Sequence, residues 1–168
     1  MPSHVFRFEE SWDFPDVSPE EVWAVLARGE LLPEWFKGVY LEAEPLDPDP
    51  EPRVGSRVRA TARGFLPYRL NFIIEAVELV PGRLVVAQMT GDFDGRWTAR
   101  LLPKDGGTHV DLTWEPTLKK PWMRILAPVL RPAFAWNHYW TTPRGEAGLR
   151  AYLAERSASR ATQASLQS

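Results

Sequence analysis

"TGDFDGRWTARLLPKDGGTHVDLTWEP", residues 90–116, is the stretch that decides the fold. Its first half alternates, with Trp97, Ala99 and Leu101 on one side and Arg96, Thr98 and Arg100 on the other. Its second half alternates too and sets Val110, Leu112 and Trp114 inward. A period of two is that of a strand, whose side chains point in turn to opposite faces. Asp105-Gly106-Gly107 joins the halves with residues that suit a tight turn. The pair therefore reads as an antiparallel hairpin with one apolar and one wet face.

The pattern extends upstream. "SRVRATARG" (56–64) sets Val58, Ala60 and Ala62 against Arg57, Arg59, Thr61 and Arg63. "YRLNFIIEAVELV" (68–80) sets Leu70, Phe72 and Ile74 against Arg69, Asn71 and Glu75, and "RLVVAQMTGD" (83–92) follows a Pro81-Gly82 turn. A first strand is predicted in "VFRFEESWDF" (5–14), with Phe6, Phe8 and Trp12 on one face and Arg7, Glu9 and Ser11 on the other.

Two short helices follow it. Ser18 is placed to cap the first, Pro19 suits its first position, and Glu20 and Glu21 suit its positive end. Val22, Trp23, Val25 and Leu26 form its apolar stripe, and Gly29 is expected to end it. "LLPEWFKG" (31–38) makes the second. "EAEPLDPDPEPRVG" (42–55) has five acids and four prolines and reads as a stiff, solvated loop rather than a domain boundary.

From about 122 to 155 the chain reads as one long helix, with Pro128, Pro132 and Pro143 kinking or restarting it. "SASRATQASLQS" (157–168) reads as a disordered polar tail. The expected organisation is one α+β domain over 1–156: a curved antiparallel sheet of six or seven strands wrapped round a long C-terminal helix. A sheet with one wet face must bury the other, and this helix is the element large enough to cover it.

At about 100° per residue, Leu130, Phe134, His138, Thr141, Gly145, Leu149 and Tyr152 share one face of that helix, with Asn137 at its edge. The face is apolar, with a few polar groups and a small Gly145 that leaves room for a ligand cavity. Three roles stand open for His138: a polar core bond, a hydrogen bond to a ligand, or acid/base chemistry, for which it is the one catalytic candidate. Phe72, Trp97, Leu112 and Trp114 should form the facing wall. Trp136 and Trp140 lie on nearly the opposite side, to be covered by a second subunit, a membrane or another part of the chain. Residues 119–131 carry Lys119, Lys120, Arg124 and Arg131 without an acid. They suit either contact with an anionic membrane or a solvated basic face.

Composition sets limits. The 168 residues contain eight Trp, no Cys and a net charge of −2. Without Cys there are no disulfides, no thiolate chemistry and no Cys-ligated metal; a cytosolic setting is expected. Nucleic-acid binding is not expected, because no aromatics alternate with the arginines of the convex face. No apolar run reaches the ~18 residues of a spanning helix, and "MPSHVFRFEE" lacks the pattern of a secretory signal. The scattered His4, His109 and His138 offer no metal-ligand spacing, and there is no phosphate loop or nucleophile elbow. No cofactor is called for.

Four pieces carry a resemblance: "FRFEESWDF", "SPEEVWAVLARGELLPEWFKGV", "TGDFDGRWTARLLPKDGGTHVDLTWEP" and "NHYWTTPRGEAGLRAYLA". Together they resemble the START, polyketide-cyclase and pollen-allergen superfamily with its helix-grip fold, over about residues 5–155. The polyketide cyclase/dehydrase-like branch is the nearest in pattern. The resemblance implies a deep apolar cavity between sheet and helix. It also implies three functions. The leading one is binding or carriage of a hydrophobic or amphipathic small molecule such as a lipid, quinone or polyketide-like aromatic, its polar end met by Asn137, His138 and Thr141. The second is cyclase or dehydratase chemistry through His138. The third is a co-chaperone-like protein contact through Trp136 and Trp140.

Overall fold

The computed structural model describes residues 6–63, 69–117, 121, 125 and 127–167, the side chains of Ala127, Leu130 and Phe134 excepted. Seven strands are present: β1 (Phe8–Phe14), β2 (Tyr40–Pro45), β3 (Arg57–Ala62), β4 (Leu70–Val80), β5 (Leu84–Gly91), β6 (Asp94–Lys104) and β7 (Gly107–Thr117). They form one sheet, β1-β7-β6-β5-β4-β3-β2, antiparallel throughout. The sheet is curved. Helix α1 (Pro19–Leu26), a 3-10 turn (Gly29–Leu31) and α2 (Leu32–Trp35) follow β1, and α3 (Ala127–Leu166) closes the chain.

The β6–β7 hairpin has the predicted register, with Trp97 opposite Trp114, Ala99 opposite Leu112 and Leu101 opposite Val110. Its turn residues Asp105 and Gly106 both have positive φ, 50° and 79°, the backbone that matches the twist of the flanking strands. Helix α1 opens on a reciprocal cap. The Glu21 amide donates to Ser18 Oγ (3.3 Å), and the Ser18 amide donates to the Glu21 carboxylate (3.1 Å). The helix stops at Leu26, before the expected Gly29, which instead opens the 3-10 turn.

Strand β2 falls partly in the segment expected to be loop. It is an edge strand that pairs only with β3 through a register shift between Tyr40 and Glu42. Two glutamates and a terminal proline blunt such an edge and also hide its alternation. Helix α3 runs through Pro132 and Pro143 and continues to Leu166. The segment expected to be a disordered tail is thus helical over 157–166, with its side chains exposed. Its Ala, Arg, Gln and Ser residues contain no Gly or Pro to stop a helix.

The convex arginines Arg57, Arg59, Arg63, Arg69, Arg96 and Arg100 are all exposed. Arg57 faces Glu75 and Arg100 faces Asp111 across the strands, as expected, while Arg59 pairs with Glu44 at 3.2 Å.

Apolar burial is split in two. The larger cluster joins Trp12, Phe14, Val22, Val25, Trp35, Leu101, Val110 and Leu112 to Leu149 and Leu153 of α3. Gly145 and Gly148 bring α3 close enough to do this. A Cβ on Gly148 would collide with the Trp35 carbonyl, and one on Gly145 would lie 2.7 Å from the Phe36 ring. The smaller cluster, Ala60, Ala62, Phe72, Ile74, Ala87 and Met89, lies on β3–β5 under a rim of half-buried aromatics.

Candidate functional site: a cavity with a buried carboxyl

A cavity of about 530 Å³ opens between the β2–β6 half of the sheet, β1, the α1–α2 segment and the middle of α3. Its volume is in the range of small-molecule sites. One chain of ring contacts runs round its wall: Trp12–Trp35 (6.5 Å between centroids), Trp35–Phe36 (5.2 Å), Phe36–Tyr40 (5.5 Å), Tyr40–Phe72 (6.1 Å), Phe72–Phe93 (4.7 Å) and Phe93–Trp114 (5.7 Å). These rings are contributed by β1, by α2 and its C-cap Phe36, and by strands or a turn of the sheet, so the wall is built on the fold's frame. The phenol of Tyr40 is pushed up to about 12 by burial and stays protonated.

The polar part of the wall is small. Glu10 points inward from β1 between Phe8 and Trp12, because positions 8, 10 and 12 share a face of the strand. Its Oε1 accepts from the Thr142 hydroxyl at 3.2 Å and lies 3.8 Å from His138 Nε2. Thr142 Oγ1 is also 3.4 Å from His138 Nε2, so the hydroxyl bridges acid and imidazole. The His138 ring stacks on Phe8 at 4.5 Å. Burial pushes the Glu10 carboxyl up to about 7; the Trp12 indole opposes the rise, and the charge of Glu146 adds to it. Burial also lowers the pKa of His138. At neutral pH the acid is thus poised between its two forms, while burial disposes the imidazole to stay neutral. Among the described residues Glu10 Oε2 has no hydrogen-bond partner.

Of the residues expected to form the site, Phe72, Trp97, Trp114, Asn137, His138 and Thr141 line the cavity. Leu112 is packed in the larger core cluster instead. Gly145 leaves no open space, because the Phe36 ring occupies it. The Phe134 side chain lies outside the described residues. The Thr141 hydroxyl donates to the His138 carbonyl at 3.0 Å and so serves its own helix turn. Glu10 and Thr142 were not among the expected residues. The signal for Glu10 was present in "FRFEESWDF", where positions 6, 8, 12 and 14 are aromatic and position 10 is an acid on the same face.

On the far side of α3, Trp136 is 60% exposed and Tyr139 73%, while Arg144 lies over the half-buried Trp140 ring at 3.7 Å. Most of the basic segment 119–131 lies outside the described residues. Among the described residues no helix is long and apolar enough to cross a membrane, and no cluster of His and carboxylates could hold a metal ion.

The strand order, the two short helices after β1 and the long C-terminal helix define a helix-grip protein. Residues 15–139 match the family described as polyketide cyclase / dehydrase and lipid transport, and the chain belongs to that family. No curated protein sequence matches it. Solved structures with this fold include the TTHA0849 protein of Thermus thermophilus (21% identity, TM-score 0.72, 91% of this chain and 99% of that one). The Zhui aromatase/cyclase of a Streptomyces strain is also similar (15% identity, TM-score 0.74, 92% and 96%). So is truncated norcoclaurine synthase from Thalictrum flavum (15% identity, TM-score 0.59, 89% and 93%). At these identities the likeness is one of fold.

Proposed function

We infer that the protein binds or carries a hydrophobic or amphipathic small molecule in the cavity between sheet and α3. The observation that carries this reading is the cavity of about 530 Å³ with its continuous aromatic wall. Burying apolar ligand surface there contributes roughly 25 cal/mol per Å². The polar end of the ligand meets Glu10, His138 and Asn137, the polar side chains at the α3 end of the wall. Native mass spectrometry of freshly purified protein, followed by solvent extraction, tests the reading. A stoichiometric apolar adduct supports it; a protein that carries no adduct and takes up no apolar probe contradicts it.

A second reading, acid/base conversion of an enolisable ketone, is favoured by the Glu10–Thr142–His138 contact. Proton transfer needs two positioned groups, and a hydroxyl bridge between acid and imidazole supplies a path. Loss of turnover in His138→Ala with retained ligand binding is the expected result under this reading. Full turnover in that variant contradicts it.

A further inference from the structure

The cavity and its mouth have an unbalanced charge. Among the described residues six carboxylates line them (Glu10, Glu30, Asp47, Asp49, Glu51 and Asp92) and two guanidinium groups, Arg28 and Arg57. Both arginines are already engaged by acids of the mouth. Arg28 pairs with Glu51 at 3.2 Å and Glu30 at 3.7 Å and also donates to the Pro50 carbonyl, and Arg57 lies 3.8 Å from Asp47. An anionic headgroup entering here would meet acids and no uncommitted cation among the described residues.

Deeper in, the wall has what a cation needs. Glu10 is 80% buried by side-chain area. Among the described residues its ion-pair partner is the imidazole of His138, which burial disposes to stay neutral. Phe8, Trp12, Tyr40, Phe72 and Trp114 line the same space. Aromatic faces attract a desolvated cation through their quadrupoles. Low-dielectric walls strengthen its attraction to a carboxylate and focus the field of the acidic mouth.

We propose that the cavity selects an amphiphile with a cationic end, a protonated amine on an apolar or aromatic body, and seats that end against Glu10 within the aromatic wall. The inference rests on the ligand-binding reading above. A cation also explains why a buried carboxyl without a Lys or Arg partner among the described residues stands in an aromatic wall: the ligand supplies the counter-charge.

Three probes of nearly equal size test it: 2-(1-naphthyl)ethylamine, 2-(1-naphthyl)ethanol and 1-naphthylacetate. Their affinities are measured by calorimetry at pH 7.5 on the full chain and on Glu10→Gln. The expected order in the unmodified protein is amine, alcohol, carboxylate, with the amine at least about tenfold tighter than the alcohol, the ratio that one charge-assisted contact gives. Glu10→Gln should bring amine and alcohol within about twofold of each other, chiefly by weakening the amine. An amine that binds no tighter than the alcohol in the unmodified protein overturns the proposal and leaves the ligand-binding reading intact. An amine preference that survives Glu10→Gln removes Glu10 from it and overturns it too. If none of the three binds, both readings fall.

Discussion

Replacing Glu10 by Gln should stabilise the protein at alkaline pH and do almost nothing in acid. The carboxyl ionises near 4.5 in an unperturbed setting and is pushed up to about 7 in the fold, chiefly by burial. The folded state therefore holds this proton more tightly than the unfolded chain does. The acid contributes no penalty below pH 4.5, and stability declines as pH rises from there through 7. The gap of about 2.5 pH units, at about 1.4 kcal/mol each, is worth about 3 kcal/mol. With a fifth of the side chain still exposed, screening reduces this to about 2 kcal/mol. Gln keeps an oxygen to accept from Thr142 and carries no charge to desolvate. Urea unfolding of both proteins at pH 4.5, 6 and 8 measures the difference. Glu10→Gln should gain about 2 kcal/mol at pH 8, or about 4–8 °C in Tm for a chain of this size, and the gain should vanish near pH 4.5. A difference that is the same at all three pH values, or a loss at pH 8, would refute the desolvation argument.

Other perturbations test other parts of the account. Gly148→Ala places a methyl against the Trp35 carbonyl and should cost about 2–3 kcal/mol in denaturant unfolding; a neutral result would mean that α3 does not dock on α2 as described. Ser18→Ala removes one half of the α1 cap and should cost about 1 kcal/mol; no loss would show that the cap adds nothing in this context. His138→Ala should weaken 2-(1-naphthyl)ethanol by about three- to tenfold, the worth of one neutral hydrogen bond; unchanged affinity would show that the imidazole does not touch the ligand.

The hairpin at 94–117 was legible because the faces of its middle differ: inward Trp97, Ala99, Leu101, Val110, Leu112 and Trp114 are apolar, while outward Arg96, Thr98, Arg100, Asp111 and Thr113 are polar. The inward face of α3 was legible for a similar reason, since Leu149 is fully buried where the helical spacing puts it, although Leu153, and not the half-buried Tyr152, is the next core residue. Strand β2 was hidden because an edge strand is selected for acids and proline, the same residues that mark a loop. The meaning of Gly145 came out inverted. A small residue on an apolar face signals either empty space or close approach, and only the path of α2 decides that Phe36 fills the gap. Glu10 was legible and yet easily read past. Beside Glu9 it looks like half of a solvated acid pair, but the strand turns the two in opposite directions, Glu9 outward to Arg7 and Glu10 into the cavity. The bridge to Thr142 and His138 was beyond reach, because it joins residues more than 120 positions apart.

The central claim is that an apolar ligand occupies the space above β3–β5. Calorimetric titration of 2-(1-naphthyl)ethanol at several temperatures, on the unmodified protein and on Ala87→Phe, tests it most directly. Ala87 is buried on β5 and lines the cavity, so the larger ring takes ligand volume. The account predicts saturable one-to-one binding with a negative heat-capacity change that is lost in folded Ala87→Phe. Equal binding by both proteins, or no saturable binding by either, would contradict it.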